Sequence, residues 1–228
     1  MTILKIITVF LAIIFITFSI PTLMSTDLVS STATISQTLL TFKFGFFKFS
    51  VEAPELERIY FDYSDFGSFF SGAVNLGSSA ATGDGSSLRR LKRSGLDTSS
   101  STSISDPITS KSYTSFGLLI TANILIAVLI FIFWFEIFFL KTLVAFLLLS
   151  MAIFTITAFS LLMALLQPVQ DFTTILVQSG SVSSTKIDSG AAMFIAVFIV
   201  GLVFTLSSIL FMRQKGVFSE SSYYIHTN

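Results

Sequence analysis

Side chains able to do acid–base or metal chemistry are few and scattered. His226 is the single histidine and cysteine is absent. A zinc site needs several converging ligands, and a Ser-His-Asp triad would need this same histidine. It stands in a polar tail and reads as a solvated residue. Thiolate and disulfide chemistry are excluded outright, so no catalytic site and no cofactor is expected. Glu136 is an acid inside a long apolar run, and an acid at membrane depth is a functional candidate by default. Lys141 follows within about a helical turn and Trp134 precedes it; indole rings prefer a membrane interface. Glu136 and Lys141 therefore read as an interfacial pair marking a chain reversal. Asn123 is the strongly polar side chain well inside an apolar stretch. In lipid it needs a partner, worth about 0.6–2 kcal/mol, with Thr155, Thr157, Ser160, Ser207 and Ser208 as candidates. It reads as glue between helices.

The element that holds these residues is the stretch 116–166. Its 51 residues carry only two charges, Glu136 and Lys141. Eighteen apolar residues already suffice for a membrane span, so this run reads as two helices, 116–135 and 142–166, joined by a turn at 136–141. Residues 118–135 contain thirteen Leu, Ile, Phe or Val; at roughly −0.3 to −0.6 kcal/mol each they contribute about −4 to −8 kcal/mol to insertion. Residues 1–24 read as a retained first span, longer than the apolar core of a signal peptide. Residues 190–212 form a fourth, ahead of Arg213 and Lys215 in the polar tail 213–228. Small residues on the last span (Ala192, Ala196 and Gly201), with Gly117 and Thr121 on the second, suit close helix packing.

Between the first two spans lies a long polar insertion with two textures. Within the loop 25–76, residues 41–70 are dense in aromatics. Phe42, Phe44 and Phe46 alternate with polar or small residues, as do Ile59, Phe61 and Tyr63, and Pro54 separates the two runs. That period of two predicts a small antiparallel sheet, with a bulge where the phase slips at Phe46–Phe47. The segment 77–115 is rich in Gly, Ser and Thr and is expected to be disordered, with a basic cluster at Arg89, Arg90, Lys92 and Arg93. A second polar loop occupies 167–189.

Charged residues make up 11% of the chain against 27 phenylalanines, and the net charge is zero. About a quarter charged is usual for a soluble domain, and no basic excess favours a nucleic acid. The expected fold is an α-helical membrane protein, a four-helix transmembrane bundle with a small antiparallel sheet from the first loop. Its first partner is the lipid bilayer. Lys5, Lys141, Arg213 and Lys215 share the side of the termini; long loops translocate largely regardless of charge, so the termini are expected to be cytoplasmic. Exposed aromatics mark partner or membrane contacts. Phe44, Gly45, Phe46, Phe47, Phe49, Tyr60 and Tyr63 are accordingly the candidate partner-binding residues.

Four spans, a long first loop with an aromatic strand motif and a shorter second loop resemble the claudin-like superfamily. Gly45-Phe46-Phe47 stands where that family has Gly-Leu-Trp. Ser50 occupies the first cysteine's position, and Ile59, Tyr60 and Phe61 surround the second. Both disulfide partners are missing together. Fungal PalI-type and eisosome-associated membrane proteins look most similar, since they replace Trp with Phe and carry Ser/Thr-rich insertions. The missing bridge would be worth about 2–4 kcal/mol, which packing of the phenylalanines would have to replace. The resemblance implies a non-enzymatic protein of the plasma membrane, which organises membrane domains or cell-surface contacts through other membrane proteins or self-association. A small transporter, channel or channel-regulating subunit is the alternative.

Overall fold

The computed structural model describes residues 3–35, 38–54, 56–65, 102–137, 141–176 and 182–216. In chain order they form α1 (Ile3–Met24), β1 (Val29–Ile35), β2 (Thr38–Phe44), β3 (Lys48–Ala53), β4 (Leu56–Asp62), a short 3-10 turn (Tyr63–Asp65), α2 (Thr102–Phe135), α3 (Lys141–Met163), α4 (Leu166–Leu176), β5 (Val182–Ile187) and α5 (Ser189–Gln214). Among the described residues, four helical stretches are long and apolar enough to cross a membrane: Ile3–Met24, Asp106–Phe135, Lys141–Thr174 and Ser189–Gln214.

The helices form a ring in which α1 packs on α2 and α5, and α3 packs on α2 and α5. Each buries one stripe and turns large apolar side chains outward. Phe10 on α1, Phe131 on α2, Phe146 on α3 and Leu206 on α5 are all exposed. Pro21 falls in the last turns of α1, where little helix remains for it to disturb. Glu136 ends α2 in the left-handed region, with φ 53°, a conformation few non-glycine residues adopt. At the far end of α5, Gly216 takes the same region with φ 68°, and its N–H donates to the Arg213 carbonyl at 3.0 Å, a usual helix stop.

The five strands form one antiparallel sheet in the order β4-β3-β2-β1-β5. Register places Phe44 opposite Phe49, Phe49 opposite Phe61 and Phe42 opposite Val51, so one face is almost wholly aromatic and aliphatic. The amphipathic α4 lies against it: the Phe172 ring meets Phe42 edge-on at 5.9 Å and Phe44 at 5.8 Å. Below it Phe46 reaches into the helix tops, 5.9 Å from the Phe116 ring and 6.2 Å from Phe194.

Several expectations need correction. The segment 77–115 is not disordered over its last part, since α2 begins at Thr102; its early turns pack on α4, Ser112 meets the Tyr63 hydroxyl at the end of the sheet, and Ser115 donates to the Ala158 carbonyl of α3. The sheet is not built from the first loop alone, because β5 comes from the second loop and pairs with β1. Phe46 and Phe47 lie between β2 and β3, at the hairpin's turn, and make no bulge. The loop 167–189 also carries most of α4. The basic cluster from Arg89 to Arg93 and His226 lie outside the described residues.

The sheet meets the bundle at one crowded joint. Asp188 N–H donates to the Leu28 carbonyl at 3.1 Å and Gly190 N–H to the Asp27 carbonyl at 2.8 Å. A Cβ on Gly190 would fall 2.6 Å from the Asp27 carbonyl oxygen and 2.0 Å from Ser25 Oγ, whereas one on Gly117 would meet nothing within 4 Å. Gly190→Ala is therefore expected to cost about 1–3 kcal/mol through forced overpacking. Gly117→Ala, in a helix interior with open space, should be neutral or stabilising by up to about 1 kcal/mol. Unfolding midpoints in a mixed-micelle denaturant titration compare the two.

Candidate functional site

Most of the expected recognition face is core. Phe44, Phe46, Phe49 and Tyr63 are all under 5% exposed, leaving Phe47 and Tyr60 as the two outward members. The pleat explains this: Phe44, Phe49 and Phe61 share a side and stack, with Phe49 5.1 Å from Phe61, and α4 and the helix tops cover them. Gly45 is equally structural. A Cβ there would sit 2.6 Å from both the Ser25 carbonyl oxygen and Thr26 Cα. Its carbonyl accepts the Tyr63 hydroxyl at 2.7 Å, and burial pushes that phenol's pKa well up. Phe47 closes the hairpin against α2, its ring 4.1 Å from Phe116 and 6.1 Å from Tyr113.

The opposite, outward face of the sheet is charged. Lys43, Ser50, Glu52, Arg58, Tyr60 and Asp62 project from it by register. Arg58 spans three chain segments: it donates to Ser50 Oγ at 2.8 Å, forms a two-point ion pair with Asp27, and lies over the Tyr60 ring at 5.1 Å. Lys43 bridges Glu52 at 3.1 Å and Asp27 at 3.8 Å. Partial burial alone would raise the Asp27 pKa. Hydrogen bonds from Arg58 and Thr26, with the charges of Arg58 and Lys43, outweigh it and hold the carboxyl below its usual range. The chemistry available here is that of a fixed, zwitterionic surface. Among the described residues no three His, Cys, Asp or Glu side chains are grouped to hold a metal ion.

A second charged cluster ties the far helix ends together. Glu136 does not pair with Lys141 as expected; its carboxylate accepts from Lys5 at 3.0 Å and from Lys215 at 2.7 Å. The left-handed turn at Glu136 aims the side chain back across α1 and α5, and Lys141 instead reaches the Gly216 carbonyl at 3.5 Å. Hydrogen bonds from Lys215 and then Lys5 depress the Glu136 pKa. Lys5 also donates to the Trp134 carbonyl at 2.7 Å.

Inside the bundle, Asn123 donates to the Leu119 carbonyl at 2.8 Å and accepts from Ser19 on α1. Neither α3 nor α5 supplies its partner, because Asn123 faces α1. Ser207 instead shares a 2.7 Å hydroxyl contact with Thr8. Of the small residues, Gly201 seats the Phe15 ring and Thr155, which a Cβ would approach to 2.9 and 3.3 Å. Ala192 is exposed and Ala196 half-buried, so the packing role narrows to Gly201. Asp27 escaped the sequence reading, and Lys5 and Lys215, read there only as charges on the side of the termini, were not paired with Glu136. Lys5 had the strongest signal, as the one charge in an otherwise apolar helix.

The Asp27 ion pairs contribute stability above the unfolded aspartate pKa near 3.8, because the folded value is lower. That contribution disappears as pH falls through the folded pKa. Asp27→Asn should remove this acid-sensitive part of the pH–stability curve and cost about 1–2 kcal/mol at neutral pH. Midpoints measured between pH 7 and pH 2 test both. A curve parallel to the parent's would refute the assignment.

No protein-family model matches the sequence, and no curated protein matches it.

Proposed function

We propose that the chain is a non-enzymatic, four-span membrane protein of claudin-like type. It resides in the plasma membrane with cytoplasmic termini and organises membrane domains or cell-surface contacts. The observation that carries this reading is the outward face of the sheet. Two loops contribute strands to one platform, and Phe46, Gly45 and Gly190 press it onto the helix tops. Its Tyr60, Arg58, Lys43 and Glu52 side are thereby displayed in a fixed arrangement.

Helix dimensions support a bilayer crossing. The rise along α2 from Tyr113 to Trp134 is about 31 Å and that along α1 from Lys5 to Met24 about 28 Å. Both match a hydrocarbon thickness of about 30 Å, with Tyr and Trp at the interfacial levels they prefer. Outward Phe10, Phe131, Phe146 and Leu206 suit acyl chains. A transport path needs polar groups free to line it. The Thr8–Ser207 and Ser19–Asn123 contacts are spent between helices, which favours the organiser over the transporter.

Tyr60→Ala with Glu52→Ala leaves the aromatic core untouched and alters only the outward face. Surface clustering and cross-linked neighbours should fall several-fold while insertion and folding stay at parental levels. Unchanged clustering would sink the organiser reading. Solute flux through vesicles holding the purified chain, lost in Asn123→Leu, would put the transporter in its place.

A further inference from the structure

Among the described residues, the charged helix ends hold more cations than Glu136 alone can neutralise. Lys5 and Lys215 occupy both oxygens of Glu136. Lys141, the first residue of α3, and Arg213, in the last turn of α5, are exposed and have no acidic partner among the described residues. Both flank one backbone turn: Lys141 reaches the Gly216 carbonyl, and the Gly216 N–H returns to the Arg213 carbonyl at 3.0 Å. Three, four and seven residues before Arg213, on its own face of α5, run the exposed apolar side chains Leu210, Ile209 and Leu206.

We infer that Lys141 and Arg213 hold the headgroup of an anionic phospholipid, whose acyl chains lie along the apolar stripe of α5 below Arg213. The inference rests on the bilayer-crossing reading above and deepens it. A phosphate anion satisfies the two cations, and only a ligand with hydrocarbon attached also covers the apolar wall. Basic pockets between helix ends on the cytoplasmic side bind acidic headgroups in this way. Glu136 does not repel the ligand, because Lys5 and Lys215 already compensate its charge. Arg213 supplies a planar fork suited to phosphate oxygens and Lys141 a mobile point charge, so the site takes a diffuse headgroup.

The test uses Trp134→Phe with Leu206→Trp, which moves the only tryptophan from beside Lys5 of α1 to the exposed stripe of α5, two turns from Arg213. The full chain carrying this pair is reconstituted in phosphatidylcholine vesicles containing acyl-brominated phosphatidylglycerol or acyl-brominated phosphatidylcholine, and quenching of the relocated tryptophan is titrated. The anionic lipid should quench at lower mole fraction. Lys141→Gln and Arg213→Gln should each reduce that preference about fivefold, and excess inorganic phosphate should leave it unchanged. Equal quenching by the two lipids, or a preference that survives in the double variant, overturns the site. Competition by inorganic phosphate overturns the lipid as its ligand. If neither lipid quenches the relocated tryptophan, the bilayer-crossing reading falls and the site falls with it.

Discussion

The short link from α1 to β1 is touched by two backbones that have no room for a methyl group. Gly45 presses on Ser25 and Thr26, and Gly190 on Ser25 and Asp27. Since β2 and β5 flank β1 in the sheet, these two contacts determine how far the sheet stands from the helices. Once that distance is set, Phe46 reaches Phe194 and Phe116, and Phe172 fills the angle against Phe42 and Phe44. A shift of even a methyl group's width would open voids under rings that are otherwise closed, because packed interiors deform little.

The sheet holds without any covalent staple. Phe49 stacks between Phe44 and Phe61 at 6.1 and 5.1 Å, and each ring is buried. Full burial of one such side chain is worth about 1.5–3 kcal/mol, comparable with the gain from a single disulfide. The Asp27–Arg58–Ser50 contacts then cross β3 and β4 from the other face and tie both to the α1 exit. Aromatic packing on one side and a charged clasp on the other restrict the same strands, so loss of one leaves the other to hold register.

How much of this was legible in the chain depended on the range of the interaction. The four apolar helices and the Pro54 break follow from composition and period, which are local. So do the strand signals in Phe42–Phe44 and Ile59–Tyr63. β1 and β5 were missed because VSSTATI and VSSTKI are small and hydroxylated, and their strand character comes from pairing with each other. α4 was missed because its apolar face is short and appears only once the sheet is opposite it. Burial of Phe44, Phe46 and Phe49 was invisible for the same reason, as an alternating pattern marks a face without saying what covers it. Glu136 was assigned to its neighbour in sequence, Lys141, yet a left-handed turn sends it to Lys5 and Lys215, which are distant along the chain.

These joints also bear on whether the molecule is a scaffold or a switch. A straight line of contact runs from the outward sheet face to the far helix ends: Arg58 holds Asp27, Asp27 leads into α1, and Lys5 of α1 holds Glu136. Transmission along such a line needs an element with two arrangements of similar energy. Every joint on it is held by more than one contact. Asp27 has Arg58, Lys43 and the Gly190 amide; Glu136 has two lysines; α1 keeps Phe15 against Gly201 and Ser19 on Asn123. Each joint thus fixes position and orientation more than once. That property favours a protein that keeps a surface in a fixed relation to the membrane over one that opens and closes.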